Sequence, residues 1–373
     1  MHKSFKFRLK PNKTQIQIFK KTLDLSRQVY NAALQERIEA YNLQRKTLTK
    51  FDQINELPEL RKAIPELKKF PRAVLEDVLD RIDKAYQNFF RRVKTKKGKS
   101  GFPRFKSKSR YDSFCIHDIR GGFAIGANYI RLPRFGEVKT IFERSIEGVP
   151  KTATIKREVD QWYVIISCDK VPEKPLPKTG AEVGIDVGLE FFATLSTGEH
   201  IDNPRHAKKM KAKLRRAQRK LARAKKGSNR RNKQVIRVAK IHLKIKRQRR
   251  YFHFQVASML VRRFDVIHFE QLNIRNMVRN SRLAFSISDA AWSQFQEITR
   301  FKAEEAGRVV VFKNTRNTSN ECSESGIIKK KKLSERWHTL PDGTKIHRDH
   351  NAAINILNRP PLDGSGQGIT LLR

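Results

Sequence analysis

From residue 3 to residue 9, KSFKFRL, apolar and polar positions alternate, with Phe5, Phe7 and Leu9 on one face and Lys6 and Arg8 on the other. That period predicts a half-buried strand, and Pro11 ends it. From Thr14 the period lengthens. Ile18, Leu25, Val29, Ala33 and Leu34 recur at helical spacing, and Val74, Val78, Ile82 and Phe89 do so again within FPRAVLEDVLDRIDKAYQNFFRRV. Residues 12 to 94 therefore predict a helical module. Beyond it the runs FAIGA, YIRLPRFG, ATIKREVDQ and WYVIISCD, set off by Gly, Asn and Pro, predict a small β barrel or sheet that the N-terminal strand can join.

PEKPLPKTG, residues 172 to 180, carries three prolines and a glycine, which predicts a linker and the main boundary of the chain. After it, EVGIDVGLEFFATLSTGEHI reads as two strands and a turn. Met210, Leu214, Ala217, Leu221 and Ala224 keep a helical stripe, as do Val238, Ile241 and Ile245 after the break at KKGSNRRN, so two long helices form a hairpin. A strand FDVIHFEQL, a helix from Ser288 to Ala306 closed by Gly307, a strand RVVVFKN and a short helix DHNAAINIL follow. The end, NRPPLDGSGQGITLLR, should fray. Strands separated by helices, the first two adjacent, give a mixed α/β sheet.

Charge changes the picture. The 373 residues hold 81 Lys plus Arg against 37 Asp plus Glu, a formal net charge of +44. Such an excess is self-repulsive in a compact fold and fits nucleic acid best, because each phosphate contact releases condensed counterions. From Arg205 to Arg250 nearly half the residues are cationic and none is acidic, so the hairpin presents an unrelieved positive face. The link KTKKGKSGFPRFKSKSRYDSF, residues 94 to 114, interleaves Phe102, Phe105, Tyr111 and Phe114 with cations. Those rings either stack on bases or dock on the neighbouring domain. With no apolar run of bilayer-spanning length and no signal-peptide core, no membrane partner is expected, and the chain should stay in the cytoplasm, associated with the nucleoid. Cys115, Cys168 and Cys322 are odd in number and far apart, which argues against a disulfide framework.

Candidate chemistry comes from three carboxylates. Asp186 in GIDVG sits within an apolar strand, Glu270 ends VIHFE, and Asp349 stands where a turn enters the last helix. A buried unpaired carboxylate costs several kcal/mol. Three converging on one sheet edge would repel one another unless a hard cation such as Mg²⁺ or Mn²⁺ neutralised them, and two such ions can activate water and stabilise the leaving oxygen of a phosphodiester. Singly, each carboxylate also reads as a helix cap, an arginine partner or a turn former.

The set GIDVGLEFFATLSTG, FDVIHFEQLNI and RDHNAAINIL resembles the three motifs of the RuvC-like nuclease core in TnpB, the transposon-associated RNA-guided DNA endonuclease related to type V CRISPR effectors. FKFRLKPNKTQ, VLDRIDKAYQNFFRR and GFPRFKSKSRYDSF extend the resemblance over most of the chain. It implies an α+β multidomain protein with an RNase H-like (RuvC) α/β nuclease core, a β-barrel wedge domain and a helical recognition lobe. The implied division is wedge at 1–11 and 112–176, recognition domain with its basic linker at 12–111, and nuclease at 177–373, with the basic hairpin at 205–250 and a degenerate zinc-ribbon insertion at 315–347. It further implies Asp186, Glu270 and Asp349 as catalytic residues and ligands of two Mg²⁺ (or Mn²⁺) ions. The implied partners are an omega RNA (reRNA) guide and double-stranded DNA bearing a transposon-adjacent motif, met by a monomeric ribonucleoprotein. Arg72, Glu76, Tyr111, Ser113 and Phe114 align near the readers of that motif, and Arg215, Arg216, Arg219 and Lys220 lie on the basic hairpin.

One segment departs from the family. Where relatives carry a four-cysteine ribbon, Cys322 stands alone, Ser325 takes the second position and LPDG at 340–343 replaces the second pair. His338 and His347 could join Cys322, but without ligand spacing no zinc is expected there. The basic tip KKKK, residues 329–332, would then crown a metal-free β hairpin. Two alternatives stay open beside the endonuclease: a nuclease-inactive RNA-guided repressor and a guide-independent transposase.

Overall fold

The computed structural model describes residues 1–95, 100–117, 122–313, 318–329 and 335–360. Residues 96–99 of the basic link, 330–332 of the KKKK tip and the C-terminal end from 361 lie outside the described residues. Met1–Pro172 and Glu173–Arg373 form two compact units.

In the N-terminal unit, β1 (Lys3–Lys10) is followed by α1 (Lys13–Gln44), α2 (Lys50–Ala63) and α3 (Arg72–Thr95), then by β2 (Ser113–His117), β3 (Ala124–Ile125), β4 (Tyr129–Leu132), β5 (Gly136–Ile141), β6 (Val149–Glu158) and β7 (Gln161–Asp169). The seven strands run β2-β6-β7-β1-β5-β4-β3, so β1 is central. Among the described residues β2 and β3 are the ends of this antiparallel sheet, with no pairing that closes a barrel. Phe5, Phe7 and Leu9 are each 2% exposed, as their alternation requires. A capping box between Asn12 and Gln15 starts α1. Its buried stripe runs through Phe19, Leu23, Val29, Tyr30, Ala33 and Leu34, whereas Ile18 and Leu25 are half-buried. The bulkier Phe19 takes the inward direction and meets Phe114, Phe135 and Trp162 at centroid distances of 5.7, 5.5 and 5.1 Å.

The two readings of the basic link divide between its rings. Tyr111 and Phe114 are buried in the core of this unit. Phe102 packs its edge on Tyr86 and Phe89 and Phe105 stays exposed.

The C-terminal unit holds β8 (Glu182–Asp186), β9 (Phe191–Leu195), β10 (His200–Asp202), α4 (His206–Ala222), α5 (Asn229–Arg263), β11 (Val266–Glu270), α6 (Ile274–Met277), α7 (Ser281–Ala290), α8 (Trp292–Glu305), β12 (Val309–Lys313), the ribbon pair β13 (Trp337–Thr339) and β14 (Lys345–His347), and α9 (Arg348–Asn358). The main sheet runs β10-β9-β8-β11-β12, antiparallel over its first three strands and parallel over its last three. This is a mixed α/β sheet. The Pro-rich segment is tied down rather than loose: Lys174 and Leu176 amides reach Glu305 and Ala306 carbonyls, Arg308 donates to the Pro177 carbonyl at 2.6 Å, and Asp265 accepts from the Thr179 and Gly180 amides.

The helix expected from Ser288 to Ala306 is two helices, α7 and α8. Ala291 between them adopts a left-handed φ of 50° and caps α7 through its amide to the Ile287 carbonyl. Ile287 on one helix and Trp292 and Phe295 on the next enter the same core. Hydrophobic periodicity cannot see such a break when no Gly or Pro marks it.

Phe114→Ala should lower the stability of the N-terminal unit by about 3–5 kcal/mol, whereas Phe105→Ala should change it by less than about 0.5 kcal/mol. Urea unfolding of the two variants side by side measures the difference.

Candidate active site

Strands β8 and β11 are parallel neighbours in the register Gly184 to His268 and Ile185 to Phe269. One step further, Asp186 and Glu270 end their strands side by side on the same face. That face is covered by α9. A Cβ on Gly184 would lie 2.2 Å from the Ala353 carbonyl oxygen and 2.7 Å from the Leu357 amide nitrogen, so only glycine lets the helix backbone come this close. Asp349 is in the first turn of α9, and its Oδ2 lies 3.9 Å from the position of a Cβ on Gly188. Gly184 thus makes room for the helix that carries the third carboxylate, while Gly188 makes room for the Phe191 carbonyl, 3.0 Å from where its Cβ would lie.

Both ends of α9 are fastened. At its start the His347 ring accepts from the Asp349 amide at 3.3 Å. At its end Lys313, buried on β12 and paired in register with Glu270, donates to the Leu357 carbonyl at 2.9 Å and to the Arg359 carbonyl. A cation on the last carbonyls also suits the negative end of the helix dipole. Burial nevertheless pushes the Lys313 ammonium below its ordinary value.

Asp186, Glu270 and Asp349 are each partly buried. Burial first, then repulsion from Glu270 and Asp349, holds the Asp186 carboxyl well above the usual carboxylate range, and Arg348 offsets only part of this. The three groups are therefore close enough to feel one another. Among the described residues, the trio whose ligand atoms all lie within 4.8 Å of one another is instead Asp77, Cys115 and His117, so the three carboxylates are spaced more openly. An open set of hard oxygen donors suits Mg²⁺ or Mn²⁺, which keep waters of their own.

The degenerate ribbon is fastened to the same helix by hydrogen bonds. Asn351 and Asn355, both buried, donate to the Glu321 carbonyl at 2.7 and 2.8 Å, Asn355 also to that of Thr318 at 2.9 Å, and Asn351 accepts from the Ser323 amide. Arg359 pairs with the Glu321 carboxylate, and the His338 ring meets the Ser319 carbonyl at 3.2 Å. Burial pushes the Cys322 thiol up, but hydrogen bonds from the Ser325 side chain and backbone and the Glu324 backbone outweigh it and hold the thiol below its ordinary value.

The other predicted positions fall elsewhere. Arg215, Arg216, Arg219 and Lys220 are all exposed on α4, while Ala217 faces Ile241 and Ile245 of α5. Arg72 and Glu76 pair with each other at 2.8 Å on α3. Ser113 accepts from Arg81, through its carbonyl at 2.8 Å and its hydroxyl at 3.4 Å. Tyr111 and Phe114 are 5% and 0% exposed, which corrects their reading as stacking contacts: neither ring face is free to meet a base. Charge and period do not single out Gly184, Gly188, Lys313, Asn351 and Asn355; the signals they carry are the glycine spacing in GIDVG and the asparagines of RDHNAAINIL.

Residues 165–281 match a family described as "Probable transposase", residues 292–356 a "Cas12f1-like, TNB domain" and residues 1–46 a "Helix-turn-helix domain". The last stretch is a strand and one long helix here. A protein of Streptomyces pristinaespiralis named "Putative RNA-guided DNA endonuclease" is 32% identical over 363 residues, 95% of this chain and 88% of that protein. The chain belongs to the TnpB family. InsQ of Escherichia coli strain K12, which bears the same description, is 27% identical over 95% of this chain and 91% of its own. A solved Cas12f1–sgRNA–target DNA complex aligns over 96% of this chain and 99% of its own, at TM-score 0.36 and 16% identity.

Gly184→Ala should displace α9, costing about 1–3 kcal/mol of stability from overpacking and weakening Mg²⁺ binding by more than about tenfold; calorimetric titration with the ion reads both the affinity and its loss. For Asp186 the sign is set by its raised folded value. The native chain binds the extra proton, so stability falls as pH rises from about 4, the unfolded value, to the elevated folded value, and the loss is complete above it. Asp186→Asn should therefore raise the melting temperature of the metal-free chain at neutral pH while abolishing its stabilisation by Mg²⁺. An equal or lower melting temperature across that range would contradict the carboxylate repulsion.

Proposed function

We propose that this chain is an RNA-guided DNA endonuclease that binds an omega-class guide RNA, recognises a transposon-adjacent motif and cleaves double-stranded DNA as a monomeric ribonucleoprotein in the cytoplasm. The observation that carries the proposal is the meeting of Asp186, Glu270 and Asp349 on one sheet edge, in a chain whose relatives are named RNA-guided DNA endonucleases.

Asp186, Glu270 and Asp349 would hold the divalent cation. When bound, such a cation activates water and stabilises the leaving oxygen of the phosphodiester. The chain supplies position: parallel pairing of β8 and β11 fixes two donors, and α9 delivers the third. Burial, and after it the charges of Glu270 and Asp349, raise the Asp186 carboxyl, so proton and cation compete for it and cation binding weakens as pH falls. The exposed Arg215, Arg216, Arg219 and Lys220 lie along one basic helix and suit the phosphate backbone of a guide–target duplex. On this reading Glu173–Arg373 is the nuclease, the seven-stranded sheet the wedge and α1–α3 the recognition lobe. Arg72, Glu76 and Ser113 then lie nearest the adjacent motif.

The test co-expresses the chain with RNA transcribed from just downstream of its own gene and offers a matched plasmid with Mg²⁺. Wild type should cut, and Asp186→Ala should bind but not cut. If both bind and neither cuts, the nuclease reading fails in favour of a repressor. Cleavage that ignores the RNA would favour a transposase.

A further inference from the structure

A second cluster of metal-ligating side chains lies in the N-terminal unit, apart from the three carboxylates. We propose that Asp77 of α3 with Cys115 and His117 of β2 forms a site for a zinc-class transition-metal ion, which staples the helix to the sheet. The ligand atoms of the three residues all lie within 4.8 Å of one another. Cys115 and His117 are two apart on a strand and so project from the same face. Asp77 interrupts the buried side of an amphipathic helix, between Val74, Leu75 and Val78, at 9% exposure. One sulfur, one nitrogen and one oxygen donor make a set that zinc accepts and that Mg²⁺ and Ca²⁺ do not favour, with a fourth position left for water.

The surroundings are built for ligation. Arg81 Nε at 2.8 Å and the Cys115 amide at 3.3 Å both bind Asp77 Oδ2, which orients the carboxylate and leaves Oδ1 for an ion. Hydroxyls of Thr154 and Thr152, on the paired strand β6, hydrogen-bond the Cys115 thiol and favour its ionised form. Without a cation, burial is the leading influence on both acids and pushes the Asp77 carboxyl and the Cys115 thiol up. An ion would let both ionise. Arg81, itself anchored on the Ser113 carbonyl and over the Tyr111 ring, adds a positive charge beside the site and lowers its affinity without blocking Oδ1. The consequence is mechanical: α3, which bears Arg72 and Glu76, would be fixed to β2, which bears Ser113. The proposal does not depend on the nuclease reading.

Cobalt(II) is the probe, because a cobalt–thiolate bond absorbs in the near ultraviolet and its ligand-field bands report tetrahedral geometry. The full chain, stripped with chelator, should take up about one Co²⁺ with a thiolate band, and zinc should displace it. Cys115→Ser should abolish the band with its circular dichroism unchanged. His117→Gln, at a partly exposed position, should weaken uptake by at least about tenfold, and Cys322→Ser should leave it unaltered. Absence of a thiolate band in the wild type overturns the proposal. So does a band that survives Cys115→Ser and vanishes with Cys322→Ser, or loose uptake of several ions indifferent to every variant.

Discussion

The approach of α9 to β8 at Gly184 is the contact on which the carboxylate cluster depends. Three acids at one edge repel one another as they ionise, and Asp349, on a helix rather than in the sheet with the other two, is the one free to leave. Three attachments oppose this: the backbone contact at Gly184, the His347 cap at the start of the helix and Lys313 on the carbonyls at its end. None involves the carboxylates, so the site is held open by its surroundings rather than by its own chemistry. That is how a fold stores strain where function needs it.

The positive charge is arranged on the same principle of separated tasks. The hairpin of α4 and α5 closes over a small core of Ala217, Ile241 and Ile245, with Met210, Leu214 and Val238 beside it. So little apolar burial sits beneath a face of one sign that the hairpin gains most when an anion covers it. Its ends rely on directed capping. Asp289 accepts from the Ala207 and Lys208 amides at the start of α4, and Arg231 donates to the Leu221 and Ala224 carbonyls at its end.

Much of this was legible in the sequence because it follows from period and charge. The alternation of Phe5, Phe7 and Leu9 marks β1, and an acid ending an apolar strand marks Asp186 and Glu270. What escapes is contact between distant segments. Nothing local says that Gly184 faces a helix more than 160 residues later, or that Lys313 caps it, since a buried lysine reads like any other cation in a chain so rich in them. Phe114 shows the limit for a related reason: its basic neighbours leave stacking and docking both open, and the strand turns the ring inward. The trio of Asp77, Cys115 and His117 is invisible to any search for ligand spacing, because helix and strand bring it together across 38 residues. The expectation of no zinc, which counts ligands within the ribbon, does not reach it.

The ribbon loop offers a last consequence. Where relatives are expected to hold this loop by thiolates, the described contacts are amides, carbonyls, a guanidinium and an imidazole, centred on Asn351 and Asn355. Such bonds have no ligand for a chelator to strip and no sulfur pair for peroxide to couple. The described contacts that keep the loop beside α9 therefore need no metal, whereas a cysteine-held ribbon opens when its ion is removed.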